Sequence, residues 1–414
     1  LTGGEADDPT IEQRTRAWAR LGNIERRRGH VMRSRACFVR ARTALRGLVD
    51  RHPEQVHLSI QLSETERDIA MTDAKHGRAD AAVELCSEVV EREIKAAQNT
   101  KNPKILLSLA RSQHSLGSAL RLSGRNFRVA LRPYRAGIAT LARAMEVAPK
   151  NAELLGERGT QHYNLGAMMF EYNRQAAAEK LMAVAVGAFA KLRELRPSRP
   201  HIEADHARAL STLAGIRDFH KTGDSDGPLG QAVAILESLA ARFPTVGSWQ
   251  EDLAHALGRT ARRAIAAGDR PAAARLFVRL LPILTKAAAT KPPRPGAAYN
   301  LGVALLDHGR CLENSGKPGE AIAQLALART SLENALAPGR QQPYVVALRA
   351  VLLGLARLTA QEQGIATAGI PFLEAAIHTT GATGQDLQLT RTWPVLGDSK
   401  ELQRLLETAP TDKR

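Results

Sequence analysis

Residues that cross-link or anchor a protein are scarce in this chain. Three cysteines in 414 residues, Cys37, Cys86 and Cys311, are too scattered for a disulfide framework or a zinc site. Aromatic residues make up only 4% of the sequence, which disfavours sandwiches and barrels because strands are rich in aromatic and β-branched side chains. The longest apolar runs, such as residues 183–190, are far shorter than the ~20 residues that cross a membrane, and residues 345–358 contain two arginines. We therefore expect no membrane span and a reducing, cytoplasmic location.

What the chain does have is a repeat with a period near 48 residues. One marker is a glycine or asparagine, which enters the left-handed conformation of a tight helix-helix turn at little cost. It recurs at Gly29, Gly77, Gly124, Asn173, Gly223, Gly268, Gly316 and Gly364. A second marker is proline, which cannot continue a helix and suits a connector. It recurs at Pro53, Pro103, Pro149, Pro197, Pro244, Pro292 and Pro338. Two independent series with one period indicate a repeat architecture.

Between these markers apolar residues recur every three or four positions, as in Trp18, Leu21 and Ile24, and no segment alternates in the manner of a strand. Each unit is therefore predicted to be two antiparallel helices of about 20 residues. We expect an all-α fold, a right-handed α-solenoid of about eight antiparallel helix pairs. A linker at 1–9 precedes the array, and a capping segment and tail at 381–414 follow it. The predicted units are 10–53, 54–102, 103–149, 150–197, 198–244, 245–292, 293–338 and 339–380.

The units resemble the tetratricopeptide repeat (TPR). The signature positions of the first unit hold Trp18, Leu21, Gly22, Gly29, Ser34, Phe38 and Ala41. Later units are similar, with Gly117 and Tyr134, Gly166 and Met182, Ala273 and Phe277, and Ala321 and Leu325. The resemblance implies that a small residue lies where two helices cross and that a large side chain fills the space beside it.

Three features depart from the TPR pattern. The units are longer than the usual ~34 residues. The fifth unit is predicted to contain an inserted loop at residues 222–230. In the seventh unit the Asn-Leu-Gly sequence at 300–302 lies 14 residues before the turn glycine, where seven is the spacing in other units.

A narrower resemblance concerns the bacterial serine/threonine protein kinases. The period, the Arg- and Ala-rich units and the segments WPVLGD at 393–398 and LQRLL at 402–406 resemble TPR-type arrays that follow the catalytic domain of many such kinases. The sequence does not begin with methionine, and we expect a fragment or processed form of a longer protein. The resemblance implies an alternative function, the C-terminal regulatory or interaction region of a kinase whose catalytic domain is absent from this chain. The kinase sequence motifs are themselves absent.

Three short patterns suggest chemistry, and each has a plainer interpretation. Residues 223–227 match G-x-S-x-G, but a nucleophile elbow needs a preceding strand and a helix is predicted there, so a hydrolase using Ser225 is the least favoured alternative. The histidines within 201–206 are five residues apart and do not share a helix face. Residues 316–319 lack the first glycine and the Ser/Thr of a phosphate loop. We predict no catalytic, cofactor-binding or metal-binding residue, no cofactor and no enzymatic activity in this chain.

Charge is unevenly distributed along the sequence. The 58 basic and 42 acidic residues give a formal net charge of +16, of which residues 1–150 carry +10 and residues 301–414 carry none. A basic surface favours an acidic protein, an acidic peptide or a nucleic acid as partner. Nucleic acid is disfavoured because binders of single strands interleave aromatic residues with basic ones. The Arg-rich stretch 14–51 has only Trp18 and Phe38, and both fall at expected core positions. We predict a protein-protein interaction scaffold that binds a partner protein or acidic peptide in the concave groove of the solenoid.

In TPR-like units the first helix lines the concave groove, and the resemblance implies which residues do so here. They are Arg16, Asn23, Arg26, Arg27, Arg67, Lys75, Arg111, His114, Arg121, Tyr163, Phe170, Arg208, His255, Arg262 and Arg310. TPR domains that bind a C-terminal carboxylate pair a lysine with an asparagine on this helix. Asn23 fits, but Ala19 stands at the lysine position. We therefore expect no such clamp and instead a diffuse cationic track that prefers acidic peptides.

Overall fold

The computed structural model describes residues 7–28, 30–290, 296–336, 342–380 and 399–409, together with residues 382, 387, 390 and 395. All regular structure in these ranges is helical, and none of the described residues belongs to a strand. The chain divides into two compact bodies, residues 1–228 and 229–414. The prediction of an all-α fold is confirmed.

The described part of the N-terminal body contains nine complete helices. They are α1 (Asp8–Arg27), α2 (Val31–Arg51), α3 (Val56–Lys75), α4 (Ala79–Ala96), α5 (Pro103–Leu122), α6 (Phe127–Val147), α7 (Ala152–Glu171), α8 (Gln175–Leu195) and α9 (Pro200–His220). Each helix packs on the next, from α1 on α2 to α8 on α9. The odd-numbered helices, which are the first helices of successive units, also meet one another, α3 with α5 and α5 with α7. They therefore lie side by side, and α1, α3, α5, α7 and α9 are here called the first-helix face.

The C-terminal body continues the pattern. Its helices are α10 (Asp226–Arg242), α11 (Gly247–Ala266), α12 (Arg270–Ala288), α13 (Ala297–Asn314), α14 (Pro318–Leu336), α15 (Gln342–Gln363), α16 (Ile370–Thr380) and α17 (Lys400–Thr408), with a short 3-10 helix at Ala366–Ala368. Consecutive helices pack together from α11 to α16, and first helices again meet, α11 with α13 and α13 with α15. The two bodies are thus built from the same helix-pair unit.

The turn inside the second to eighth units is left-handed, as predicted. The backbone φ is positive at every described member of the series, from 54° at Asn173 to 85° at Gly77. These members are Gly77, Gly124, Asn173, Gly223, Gly268, Gly316 and Gly364. Gly29 lies outside the described residues, as do two connector prolines, Pro292 and Pro338. The left-handed conformation lets the chain reverse within a few residues, which brings the two helices of a unit into contact.

In the first, third, fourth and seventh units the two helices cross closely at a glycine of the first helix, as in TPR-type packing. A Cβ atom on Gly22 would lie 2.8 Å from the Phe38 ring. One on Gly117 would lie 2.7 Å from the Tyr134 ring. Both rings are buried. No side chain fits at these glycines, because real Cβ atoms do not approach other atoms to less than about 3 Å.

In the seventh unit two glycines of the first helix, Gly302 and Gly309, pack closely on the second helix, and together they settle the register of the repeat. Gly309, seven residues before the turn Gly316, faces Leu325, and Gly302 places its Cβ position 2.5 Å from Leu332. The fourth unit has the same two levels, Gly166 with Met182 and Gly159 with Phe189. Gly302 therefore marks a second close contact, two helical turns before the one at Gly309. The seventh unit keeps the usual register, in which the crossing glycine lies seven residues before the turn glycine.

Two predicted boundaries differ from the structure because side chains cap the helices. The linker was expected to reach residue 9, but α1 begins at Asp8, where Asp7 accepts a hydrogen bond from the Thr10 N–H at 3.3 Å. Pro9 is tolerated because the first turn of a helix does not use its N–H groups. The inserted loop was expected to span residues 222–230, but α10 begins at Asp226.

The long apolar helix α15 belongs to the core of the C-terminal body. Residues Pro343–Gln363 of α15 are long and apolar enough, by length and composition, to cross a membrane, and half of this stretch is buried within the fold. Leu348 and Leu352 are fully buried against α14. Arg357 forms an ion pair with Glu313. This arrangement is typical of a core helix.

The end of the array and the thiols are also buried. Leu402 of α17 is fully buried with Leu373 of α16, so part of the predicted capping segment covers the last pair.

Cys37, Cys86 and Cys311 are all buried. Burial raises the pKa of the Cys86 thiol to about 12, which suits a small core residue better than a reactive thiol.

Two glycines test the turn argument. A Cβ at Gly124 or at Gly187 would meet no atom within 4 Å, but Gly124 has φ of +72° and Gly187 lies inside α8. Gly124→Ala should lower the free energy of unfolding by about 1–2 kcal/mol, because alanine is strained in the left-handed region. Gly187→Ala should raise it by about 0.5–1 kcal/mol, because alanine is the better helix former. Urea denaturation measures both, and equal effects would contradict the left-handed turn.

Candidate functional site

The predicted groove residues lie on the first helices of their units, and three of them share one groove. Arg67 of α3 and Arg111 and His114 of α5 line a groove of about 390 Å³. Four carboxylates line the same groove, those of Glu64, Asp68, Glu153 and Glu157. The groove therefore holds more carboxylates than arginines.

Arg67 is buried rather than presented to a partner. Its guanidinium donates to Ser112 Oγ at 2.9 Å and Ser108 Oγ at 3.3 Å, and lies 3.7 Å from Glu93 Oε1. Burial lowers the pKa of the guanidinium, and Glu93 opposes this shift. Arg67 and Glu93 thus form a buried ion pair between α3 and α4 that is completed by serines of α5.

Four other first-helix arginines each tie their own unit to the next one. Their carboxylate partners lie on the following first helix, 42–50 residues further along the chain. The pairs are Arg26–Asp68 at 2.7 Å, Arg111–Glu157 at 2.8 Å, Arg121–Glu171 at 2.9 Å and Arg262–Asp307 at 3.0 Å. Arg111 also meets Glu153 at 3.1 Å. These four pairs are here called the inter-unit ladder.

Uncharged groups repeat the same unit-to-unit spacing. Asn164 Nδ2 donates to His114 Nε2 at 3.1 Å, and Asn300 Nδ2 approaches His255 Nε2 at 3.3 Å in the equivalent position of the C-terminal body. Burial lowers the pKa of His114 to about 4, against the opposing charge of Glu157, and burial also lowers the pKa of His255. Both rings are therefore neutral at pH 7. His114 Nδ1 is buried and has no hydrogen-bond partner in the described part of the chain.

The remaining predicted residues are more dispersed. Arg16 pairs with Glu12, Arg208 with Asp205 and Arg310 with Asp307, each within its own helix. Tyr163 Oη lies 3.3 Å from Thr212 Oγ1, and Phe170 meets the edge of Phe219. Asn23 donates to the Ala19 carbonyl at 3.1 Å and accepts from Arg26. Lys75 is exposed, and the side chain of Arg27 lies outside the described residues.

Four exposed arginines without partners lie together on a second helix, outside the predicted groove. On α6 they are Arg128, Arg132, Arg135 and Arg143, all exposed and without an ion pair or hydrogen bond among the described side chains. They form the α6 arginine surface, and Glu146 is the one acidic residue of that helix. The sequence does indicate this basic surface, since residues 101–150 contain ten basic residues and one acidic residue. The net charge summed over residues 1–150 did not show it, because the acidic residues of 1–100 are included in that sum.

The G-x-S-x-G match is a helix start. Ser225 Oγ donates to Asp218 Oδ1 at 2.6 Å, directly before α10. Helix α9 precedes it, where an elbow requires a strand, and a carboxylate accepts its proton where nucleophilic serines use an imidazole. Ser225 is buried, so its hydroxyl supports the fold at this helix start. Within the described ranges no three His, Cys, Asp or Glu side chains are placed to share a metal ion.

The stability lost on mutation should differ between a buried and a more exposed arginine of the first-helix face. Arg67→Ala should lower the free energy of unfolding by about 3–5 kcal/mol, because it leaves Glu93 buried without its countercharge. Arg26→Ala should cost less than about 1 kcal/mol, because the Arg26–Asp68 pair is largely exposed. Chemical denaturation compares the two variants, and similar losses would contradict the difference in burial.

His114 should make stability depend on pH. Its pKa in the fold, about 4, lies below the ordinary value of 6.5, so the unfolded chain takes up a proton first as the pH falls. This contribution is present in full above pH 6.5 and is lost as the pH drops towards 4. His114→Gln should reduce the slope of unfolding free energy against pH in this window, and an unchanged slope would show that His114 is not buried as a neutral ring.

No model of a known protein family and no curated protein sequence matches the chain. Solved structures do match. The apo form of RapI is 12% identical over 83% of this chain and 85% of its own, with a TM-score of 0.55. BtubC from P. vanneervenii is 17% identical over 64% of this chain and 95% of its own, with a TM-score of 0.45. TTC0263, a thermophilic TPR protein of Thermus thermophilus, is 18% identical over 59% of this chain and 98% of its own, with a TM-score of 0.36. The RapI likeness shows the fold alone, and with the turns and crossings above this chain is an all-α solenoid of TPR-like helix pairs.

Proposed function

We propose that this chain is a protein-interaction scaffold that binds an acidic segment of a partner protein. The observation that carries the proposal is the α6 arginine surface, where four exposed arginines have no carboxylate partner among the described residues. Unpaired charge of one sign attracts a partner of the other sign over roughly a Debye length. The proposal includes a cytoplasmic location, where the three buried cysteines would stay reduced.

The first-helix face has a different part in this proposal. Three of its arginines, Arg26, Arg111 and Arg121, are held by the inter-unit ladder, so these three contribute little net attraction. The groove offers polar groups of both signs, those of Arg111, Glu64 and Asp68, to an extended segment. We therefore assign shape and hydrogen bonding to the groove, and long-range attraction of an acidic partner to α6.

A nucleic acid is a weaker fit to the α6 arginine surface. Single-strand binders stack bases on exposed aromatic side chains between their basic residues. The aromatic residue within the arginine series of α6, Tyr134, is buried, and Val129 is the large apolar residue that is exposed there. The surface thus offers charge without a stacking platform.

The kinase alternative concerns the parent protein. The period near 48 and the C-terminal segment that ends in α17 are the features that favour it. In that case the scaffold described here would recruit substrates or regulators to a catalytic domain encoded upstream of Leu1. Reading the open reading frame upstream of Leu1 tests this alternative directly, and the absence of a kinase domain there would reject it.

Charge reversal on α6 tests the acidic-partner proposal. A fluorescein-labelled peptide of twelve glutamates serves as the probe, and fluorescence anisotropy measures its binding over a range of salt concentrations. The triple variant Arg128→Glu, Arg132→Glu, Arg135→Glu should bind the probe at least about tenfold more weakly at low salt. The salt dependence of the affinity should also become flatter, because fewer cations meet the peptide.

A second helix of the C-terminal body supplies the matched control. The triple variant Arg270→Glu, Arg275→Glu, Lys286→Glu changes the net charge equally, and all three side chains are exposed on α12. It should keep most of the affinity for the probe. Equal losses in both triples would mean that net charge alone attracts the peptide, and the α6 surface would lose its assigned role.

A further inference from the structure

A cleft of about 860 Å³ opens between α6, α7 and α8 in the N-terminal body. Aliphatic side chains form its floor: Ile138, Leu141 and Met145 from α6, Leu155 from α7 and Leu195 from the end of α8. Leu195 is 50% exposed, so its side chain is accessible from the cleft. The volume lies within the 300–1,000 Å³ that small-molecule sites occupy.

The cleft exists because two neighbouring units pack loosely on this side. Helix α6 contacts α7 less extensively than α4 contacts α5 or α8 contacts α9. Helix α6 packs closely on α5 at Gly137, where a Cβ atom would lie 3.0 Å from the Ala110 carbonyl oxygen of α5. Helix α6 is thus drawn tightly against its own unit, and the small exposed side chain of Ala142 leaves the mouth of the cleft open.

The mouth of the cleft carries cations without partners. Lys150, Arg158 and Lys191 line it, and none of them has an ion pair or hydrogen-bonded side-chain partner in the described part of the chain. Glu146 and Glu194 line it too, without pairing to these cations. Three cations and two carboxylates leave one positive charge in excess.

His162, which also lines the cleft, adds no charge to this excess. Burial lowers its pKa, so the ring is neutral at pH 7. Its Nδ1 donates to the Arg158 carbonyl at 2.8 Å, which holds the ring beside that arginine. The site therefore combines an aliphatic floor, a neutral ring and one unneutralised positive charge.

We propose that this cleft binds a long-chain fatty acid, with the aliphatic chain on the floor and the carboxylate at Arg158 and Lys191. The aliphatic floor recognises a saturated chain, because each buried methylene adds about fourfold to the affinity. The excess positive charge selects a single anionic head and disfavours a cationic one. This inference is independent of the acidic partner, since the cleft shares no lining residue with the groove and includes none of the four arginines of the α6 arginine surface.

Titration calorimetry with hexadecanoate, below the concentration at which it aggregates, tests the proposal on the full chain. We expect saturable binding of one molecule per chain at this site. Octanoate should bind at least about a hundredfold more weakly, because its shorter chain buries fewer methylenes. Hexadecyltrimethylammonium, which has the same chain and the opposite charge, should bind at least about tenfold more weakly.

Two pairs of variants locate the site. Ala142→Trp fills the mouth and should abolish binding, whereas Ala139→Trp, an exposed residue of α6 outside the cleft, should not. Arg158→Glu should weaken binding at least about tenfold, whereas Lys180→Glu, an exposed residue of α8 outside the cleft, should leave it unchanged. Circular dichroism confirms that each variant folds.

Three results would overturn the proposal. The first is the absence of saturable hexadecanoate binding to the wild-type chain. The second is equal affinity of the two tryptophan variants, and the third is equal affinity for the anionic and the cationic amphiphile. Loss of the glutamate-peptide binding described above would leave this outcome untouched, because that probe reports on the α6 arginine surface.

Discussion

The close crossing of two helices at a small residue, a glycine in four of the units, is the contact on which the rest of this molecule depends. Where Phe38 covers Gly22 and Tyr134 covers Gly117, the backbone of the first helix touches a large side chain of the second. That contact sets the angle and distance within a unit, and the left-handed turn next to it makes the reversal short. Once the pair is fixed, its outer surfaces can only be buried against the neighbouring pairs.

This constraint explains why the architecture was readable from the sequence. Turn glycines, connector prolines and helical apolar spacing all follow from local conformational preferences, which a single sequence displays. The seventh unit was harder because Gly302 and Gly309 both have the small size that the motif requires. Only the structure shows that they occupy two levels, opposite Leu332 and Leu325. The loop at 222–230 was misplaced for a related reason, since nothing in a Gly- and Asp-rich stretch shows that Ser225 will bond to Asp218 and lie before a helix.

The candidate site was predictable only in part. The resemblance placed Arg67, Arg111 and His114 on first helices, and they do meet in one groove. Spacing could not show that Glu93 would bury Arg67 or that the carboxylates of the next first helix would hold Arg26 and Arg111, because these pairings depend on how neighbouring units stack. Net charge summed over long stretches likewise did not reveal the basic surface of α6, whose arginines have no acidic neighbour with which to form an ion pair. Pairing, rather than the number of basic residues, decides where a surface is positive.

The inter-unit ladder also has a mechanical consequence. Within the N-terminal body, neighbouring first helices are joined by ion pairs such as Arg26–Asp68 and Arg121–Glu171, which are partly exposed to solvent. Exposed pairs weaken as salt screens them, whereas the glycine crossings inside a unit are dry and insensitive to salt. Salt would therefore loosen these joints on the first-helix side, whereas the buried apolar clusters that neighbouring units share, such as that of Val90, Leu106 and Leu141, would respond little to it. The N-terminal body would thus have one face whose stiffness depends on ionic strength and an interior whose stiffness does not.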